Sequence, residues 1–242
     1  MNVILFDQMP ENHLIPSSDF RCDHIRKVLR LTEGDRLSIG LVNGPMGDAV
    51  ITSIDSTGVS FSWTQTVPAA DAVGLYPVTL LVAQVRPICM KRILREAVSL
   101  GVRRLVVTGT DTAEKSYQVS GLWKNGEYRK YLLDGAMQSA HTGMSELCFA
   151  DTVDDAVSQL SGNRDIRLML DNVLDGVPLS SLAAPAGEVV LAVGPERGWS
   201  DRERALFLQA GYRPVSLGAR VLRTETACSA GVAVLLGRMG LL

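Results

Sequence analysis

The sequence is short of the residue types that build metal centres and disulfide frameworks. It has three histidines, and its four cysteines (Cys22, Cys89, Cys148, Cys228) stand far apart with no C-x-x-C pair. That spacing argues against a zinc site and a disulfide scaffold and leaves buried or surface thiols as the plain reading. Cys22 lies two residues from His24, but only His13 and His141 remain as further imidazole ligands, so no metal is expected. No apolar run reaches the roughly 18 residues that span a bilayer, and no basic segment with a long apolar core opens the chain. The expectation is a cytoplasmic protein without a membrane span. Also missing are G-x-G-x-x-G after a strand, G-x-x-x-x-G-K-[ST], G-x-S-x-G and H-E-x-x-H, which disfavours a phosphate-cradling nucleotide enzyme. There is no internal repeat and no low-complexity segment.

What is present is ordinary for a globular protein: 46% hydrophobic and 21% charged residues over 242 positions, enough for one large domain or two smaller ones. The net charge of −2 does not advertise nucleic-acid binding, but its distribution is uneven. Arg86, Lys91, Arg92, Arg95, Arg103 and Arg104 face a single acid, Glu96, and Arg21, Arg26, Lys27 and Arg30 form a second cluster. Local patches of this kind bind phosphates despite an acidic total, although solvated helix faces give the same pattern.

In chain order, residues 2–6 read as a strand and 18–31 as a helix with Ile25, Val28 and Leu29 on its apolar side. Strands follow at 36–42, 48–54 and 58–63, separated by Asn43-Gly44 and Asp55-Ser56-Thr57-Gly58, so a small antiparallel barrel or sheet is expected. Residues 66–77 are rich in Pro, Ala, Gly and Asp and mark a linker between domains at 1–70 and 74–242. An apolar strand at 78–85, a helix at 91–100 ended by Gly101, and a strand from Leu105 make a βαβ unit. Residues 111–127 read as a long loop offering Lys115, Ser116, Tyr117 and Trp123 to a partner. Helices are expected at 128–140 and 152–160, and a strand at 166–170.

The most informative stretch is 189–237. An apolar run (189–193) leads into Gly194-Pro195-Glu196-Arg197-Gly198-Trp199, and a helix follows whose Ser200 and Glu203 form a capping box. A second short apolar run at Val215 leads into Gly218-Ala219-Arg220-Val221-Leu222-Arg223-Thr224-Glu225. Two glycine loops, each after a strand, suit a ligand held largely by backbone groups in a crevice beyond the strand ends. The last helix, 225–239, is rich in small residues, which predicts a closely packed neighbour; dimerisation is one way to supply it.

The two loop motifs together resemble the paired signature of the RsmE family, bacterial 16S ribosomal RNA uridine-N3 methyltransferases of the SPOUT superfamily. His24-Ile25-x-x-Val28-Leu29-Arg30, Leu100-Gly101-Val102, Glu114-Lys115-Ser116 and Gln138-Ser139 are similar to shorter motifs of the family. Arg197 and Trp199 stand where the family more often has glycine and phenylalanine, and His141 where arginine commonly follows Gln-Ser.

The resemblance implies an α/β fold: a SPOUT α/β trefoil-knot domain at the C-terminus with a small PUA-like β-barrel that helps bind RNA. It implies S-adenosylmethionine as methyl donor, 16S rRNA or the small ribosomal subunit as partner, and a homodimer. The donor would be held by Leu191, Val193, Gly194, Pro195, Glu196, Gly198, Leu217, Gly218, Leu222, Arg223 and Thr224. RNA contacts fall to Arg21, His24, Arg26, Lys27, Arg30, Arg86, Lys91, Arg92, Lys115, Arg129 and Gln138. For chemistry the candidates are Arg223, Glu196 and Glu225, with loop-holding ion pairs as the alternative for each. Two other readings stay open: methylation of another RNA site or a ribose 2′-hydroxyl, and a non-catalytic RNA-binding assembly protein.

Overall fold

A computed structural model describes residues 3–161, 166–185 and 187–242; Asn2, expected at the start of the first strand, lies outside them. The chain divides into two compact units, Met1–Gly74 with Ala136–Met144, and Leu75–Gly135 with Ser145–Leu242.

The first unit is built on β1 (Val3–Phe6), β2 (Leu14–Pro16), α1 (Phe20–Asp23), β3 (Arg36–Leu41), β4 (Met46–Ile54), β5 (Gly58–Val67) and α2 (Ala69–Ala72). Its sheet runs β1-β3-β4-β5-β2. The expectation of an antiparallel sheet holds for every pair except β1 and β3, which are parallel. Ile4, Leu5, Ile15, Ile39, Ile51 and Val59 fill the core, each worth about 1.5–3 kcal/mol of apolar burial. The helix expected over 18–31 is corrected. After α1 the backbone widens into a π turn, His24–Leu29, ended by Arg30 in the left-handed region (φ 55°). That widening shifts the side-chain phase, so Cys22 and Ile25 are buried while Val28 is 66% exposed. The expected linker is ordered as the end of β5 followed by α2.

The second unit contains β6 (Tyr76–Ala83), α3 (Pro87–Ser99), β7 (Val102–Thr108), α4 (Gly121–Lys124), α5 (Tyr128–Ser139, whose residues from Ala136 on count with the first unit), β8 (Glu146–Ala150), α6 (Val153–Gln159), β9 (Ile166–Leu170), β10 (Val177–Pro178), β11 (Val189–Val193), α7 (Asp201–Gln209), β12 (Arg213–Ser216) and α8 (Thr224–Met239). All seven strands are parallel, in the order β10-β12-β9-β11-β6-β7-β8. Helices cover both faces, which explains why β11 is apolar throughout and β6 is apolar from Val78 to Ala83 except at Thr79, rather than alternating. Val190 and Ala192 pack with Trp199, Phe207 and Tyr212 under α6 and α7. On the other face α8 packs against β6, β11 and α3.

One expectation in this unit changes. The loop expected over 111–127 holds a 3-10 turn, Lys115–Val119, and α4. Two of the small residues of α8 have close neighbours within the chain. A Cβ on Gly231 would sit 3.0 Å from Leu191 and 3.1 Å from Leu170, and Ser229 donates to Glu96 of α3.

Candidate functional site

In the strand order β12-β9-β11 three parallel neighbours end side by side, and the loops leaving them line one cavity of about 630 Å3. The crevice beyond the carboxyl ends of such strands is the usual ligand position in an open α/β sheet. Residues 193–199 form one wall, 216–224 a second, and 170–176 a third that the sequence reading missed. The signal for the third was available in outline: Asp171-Asn172 follows an apolar strand. Its membership depends on β9 lying between the other two, which no local pattern reveals.

Val193, Gly194, Pro195, Glu196, Gly198, Leu217, Gly218, Leu222, Arg223 and Thr224 all line the cavity. Leu191 does not, and that expectation is corrected. It sits two residues before the end of β11, fully buried, and packs beneath Gly231 of α8.

The wall after β11 is braced from behind. Trp199 is buried, donates Nε1–H to Leu170 O at 3.3 Å and meets Phe207 edge-on. A Cβ on Gly194 would lie 3.2 Å from its ring, so glycine there permits the close approach. The expected capping box is formed, and the Glu203 carboxylate does more than cap. One oxygen accepts the Ser200 N–H at 2.7 Å and the other the Asp111 N–H at 2.8 Å, at complete burial. Thr112 donates its hydroxyl to Gly198 O at 2.7 Å. Hydrogen bonds from Arg202 and then Ser200 hold the Asp111 carboxyl below its ordinary value.

The wall after β9 is held by Asp171. Its Oδ1 accepts the N–H groups of Val173 and Leu174, and its Oδ2 accepts Nε of Arg204 at 2.9 Å. Both side chains are nearly out of solvent, so removing either partner strands a buried charge.

The wall after β12 is looser. Gly218 takes φ +101°, a conformation other residues resist. Gly218, Ala219, Arg220, Val221 and Arg223 are exposed, and Thr224 ties the end of the loop to Gly194 O at 3.2 Å.

Of the candidates for chemistry, Glu196 is exposed at the cavity and Arg223 lines it. Among the described residues no ion pair joins Arg223 to Glu196 or Glu225. Glu225 is buried on the first turn of α8 and does not line the cavity. It lies against Cys89 of α3, whose thiol is pushed up by burial first and then by the Glu225 carboxylate. Arg86 is held charged by a hydrogen bond to Tyr117 and by the nearby Glu196. Arg86 and Tyr117 thus belong beside Glu196, a grouping that residues so distant in sequence do not announce.

The residues expected to meet RNA have varied surroundings. Arg21 is committed internally: Nε donates to Leu5 O, Nη1 pairs with Asp19, and the guanidinium stacks on Phe6 and Phe20. Arg26 donates to Asp55 O, Lys27 pairs with Asp23, and His24 has a buried Nε2 without a hydrogen-bond partner. Arg30, Arg92, Lys115, Arg129 and Gln138 are exposed. Lys91 pairs with Glu127 at 2.8 Å.

Residues 74–236 match the family model described as an RNA methyltransferase domain. The chain is 34% identical to the Ribosomal RNA small subunit methyltransferase E of Treponema pallidum (strain Nichols), over 98% of this chain and 91% of that one. It is 27% identical to Ribosomal RNA small subunit methyltransferase E 1 of Borreliella burgdorferi, over 94% of each. In fold it resembles a probable rRNA-methyltransferase from Porphyromonas gingivalis, with TM-score 0.80, 22% identity and 99% of both chains covered. It also resembles the Ribosomal RNA small subunit methyltransferase E of Neisseria gonorrhoeae bound to S-adenosyl methionine, with TM-score 0.79, 20% identity, and 98% of this chain and 97% of that one covered.

Proposed function

The chain belongs to the RNA methyltransferase family, and from that premise we propose that it transfers a methyl group from S-adenosylmethionine to N3 of a uridine in 16S ribosomal RNA of the small subunit. The observation that carries this reading is the cavity lined by loops from three adjacent strand ends. Its volume falls within the roughly 300–1,000 Å3 of small-molecule sites. Backbone groups of Gly194, Gly198 and Gly218, with the apolar Val193, Leu217 and Leu222, would hold the donor. The donor's sulfonium supplies the methyl electrophile, so the chain's own work is alignment and proton removal. As the N3–C bond forms and the S–C bond breaks, the N3 proton leaves to the Glu196 carboxylate or to a water it holds. Glu196 suits this because it faces the cavity; Glu225 is buried off it and suits a positioning role. Arg223 would stabilise negative charge developing on the uracil.

The reading extends to a PUA-like RNA-binding first unit, with Arg26, Lys27 and Arg30 at the phosphates, and to a trefoil knot. The knot is supported by α8, which follows β12 yet packs on β11, β6 and the Leu179–Ser181 turn. A homodimer in the cytoplasm completes it, supported by the exposed apolar Ile88 and Val221. No helix among the described residues is long and apolar enough to cross a membrane. The test is to incubate the protein with unmodified small subunits and deuteromethyl-labelled S-adenosylmethionine, then map nucleosides by mass spectrometry. Labelled 3-methyluridine supports the proposal. Label on a ribose or another base refutes the position, and absence of both transfer and donor binding favours a non-catalytic assembly protein.

A further inference from the structure

Outside the cavity, the second unit displays aromatic rings where a soluble surface ordinarily has few. Trp123 of α4, Tyr128 at the start of α5 and Phe149 of the edge strand β8 form one cluster. Phe149 stands nearly perpendicular to both neighbours, 5.1 Å from Trp123 and 6.3 Å from Tyr128 by ring centroids. None of the three belongs to the buried core, and Phe149 is 48% exposed. The cations lie beside them in sequence: Lys124 follows Trp123, and Arg129 and Lys130 follow Tyr128, all three exposed. The intervening acid, Glu127, is engaged by Lys91 and the Tyr131 hydroxyl. Phe149 also borders a groove lined by Asp151 and Asp155.

We propose that Trp123, Tyr128 and Phe149 form a stacking platform for an unpaired base of the RNA substrate, with Lys124, Arg129 and Lys130 on the phosphates. Surface rings beside cations, here Phe149 exposed and Trp123 and Tyr128 half-buried, are what a single-stranded nucleic acid recognises: every base has a face to stack, and the backbone needs positive charge. The carboxylates of Asp151 and Asp155 disfavour phosphates in that groove, so the phosphates are assigned to the cations of α4 and α5. This inference rests on RNA being the substrate and adds where, away from the methyl-transfer cavity, an unpaired nucleotide is gripped.

The test measures binding of a short unstructured oligoribonucleotide to the full chain across a salt series, with donor binding by calorimetry as the check on folding. Trp123→Leu and Phe149→Leu keep apolar bulk while removing the π face. Each is expected to weaken RNA binding about fivefold or more, with the salt slope and donor binding unchanged. Lys124→Ala with Lys130→Ala is expected to flatten the log–log salt slope by roughly 1.4. Wild-type affinity in both aromatic variants overturns the platform. So does the case where they bind RNA normally but no longer methylate assembled subunits, because the patch then meets a ribosomal protein. If the wild-type protein does not bind the oligoribonucleotide, this inference fails, while the methyl-transfer reading is judged separately by transfer to small subunits.

Discussion

Two walls of the same cavity are built in opposite ways. The wall after β11 is fastened by a buried tryptophan, a fully buried carboxylate accepting two backbone N–H groups, and a threonine hydroxyl on Gly198 O. The wall after β12 is a run of exposed residues with Val221 at 80% exposure, fastened at its end by Thr224. The first is cross-braced without any ligand. The second has little local stability to lose and is the part that a ligand would order. Under the proposed function, the first loop would set the position of the donor and the second would close over it.

The comparison can be broken by substitutions in either wall. Trp199→Ala should have the largest effect, about 3–5 kcal/mol of stability in denaturant unfolding, because it opens a cavity behind Gly194. Val221→Ala should stay within about 0.5 kcal/mol. Equal costs would show that the walls do not differ. Gly218→Ala should come next: with no neighbour within reach its cost is backbone strain, roughly 1–2 kcal/mol, read as a roughly tenfold weaker donor affinity with little change in fold.

Smaller effects sharpen the picture. Glu225→Gln removes the charge that helps hold the Cys89 thiol up, so alkylation of Cys89 at mildly alkaline pH should speed up severalfold; an unchanged rate would mean the two groups are not in contact. Asp111→Asn should cost below about 1 kcal/mol, since the Arg202 pair is half exposed. Because the folded Asp111 is depressed below its ordinary 3.8, its contribution is present at neutral pH and lost as pH falls through the depressed value. The gap between wild type and variant should therefore close on acidification.

Much of this site was legible in the sequence because its signals are local. The glycine motifs, the Ser200–Glu203 cap and the apolar run of β11 each declare themselves within a few residues. What stayed hidden depends on long-range pairing. Asp171 joins the cavity because β9 inserts between β12 and β11, and Leu191 leaves it because a strand buried on both faces gives no sign of how deep each residue sits. Arg21 looked like one more cation of a basic cluster; its stacking on Phe6 and its bond to Leu5 O appear only once β1 and α1 are adjacent. The π turn after α1 likewise defeated a periodicity that assumes an even helical pitch.

The central claim is that three loops hold the methyl donor, one already cross-braced and one closing. Backbone hydrogen exchange with and without S-adenosylmethionine tests it most directly. The account predicts added protection in 171–176, 194–199 and 217–224, with the largest gain in 217–224 and slow exchange around Trp199 even without donor. Protection elsewhere, or equal gains in both glycine walls, would contradict it.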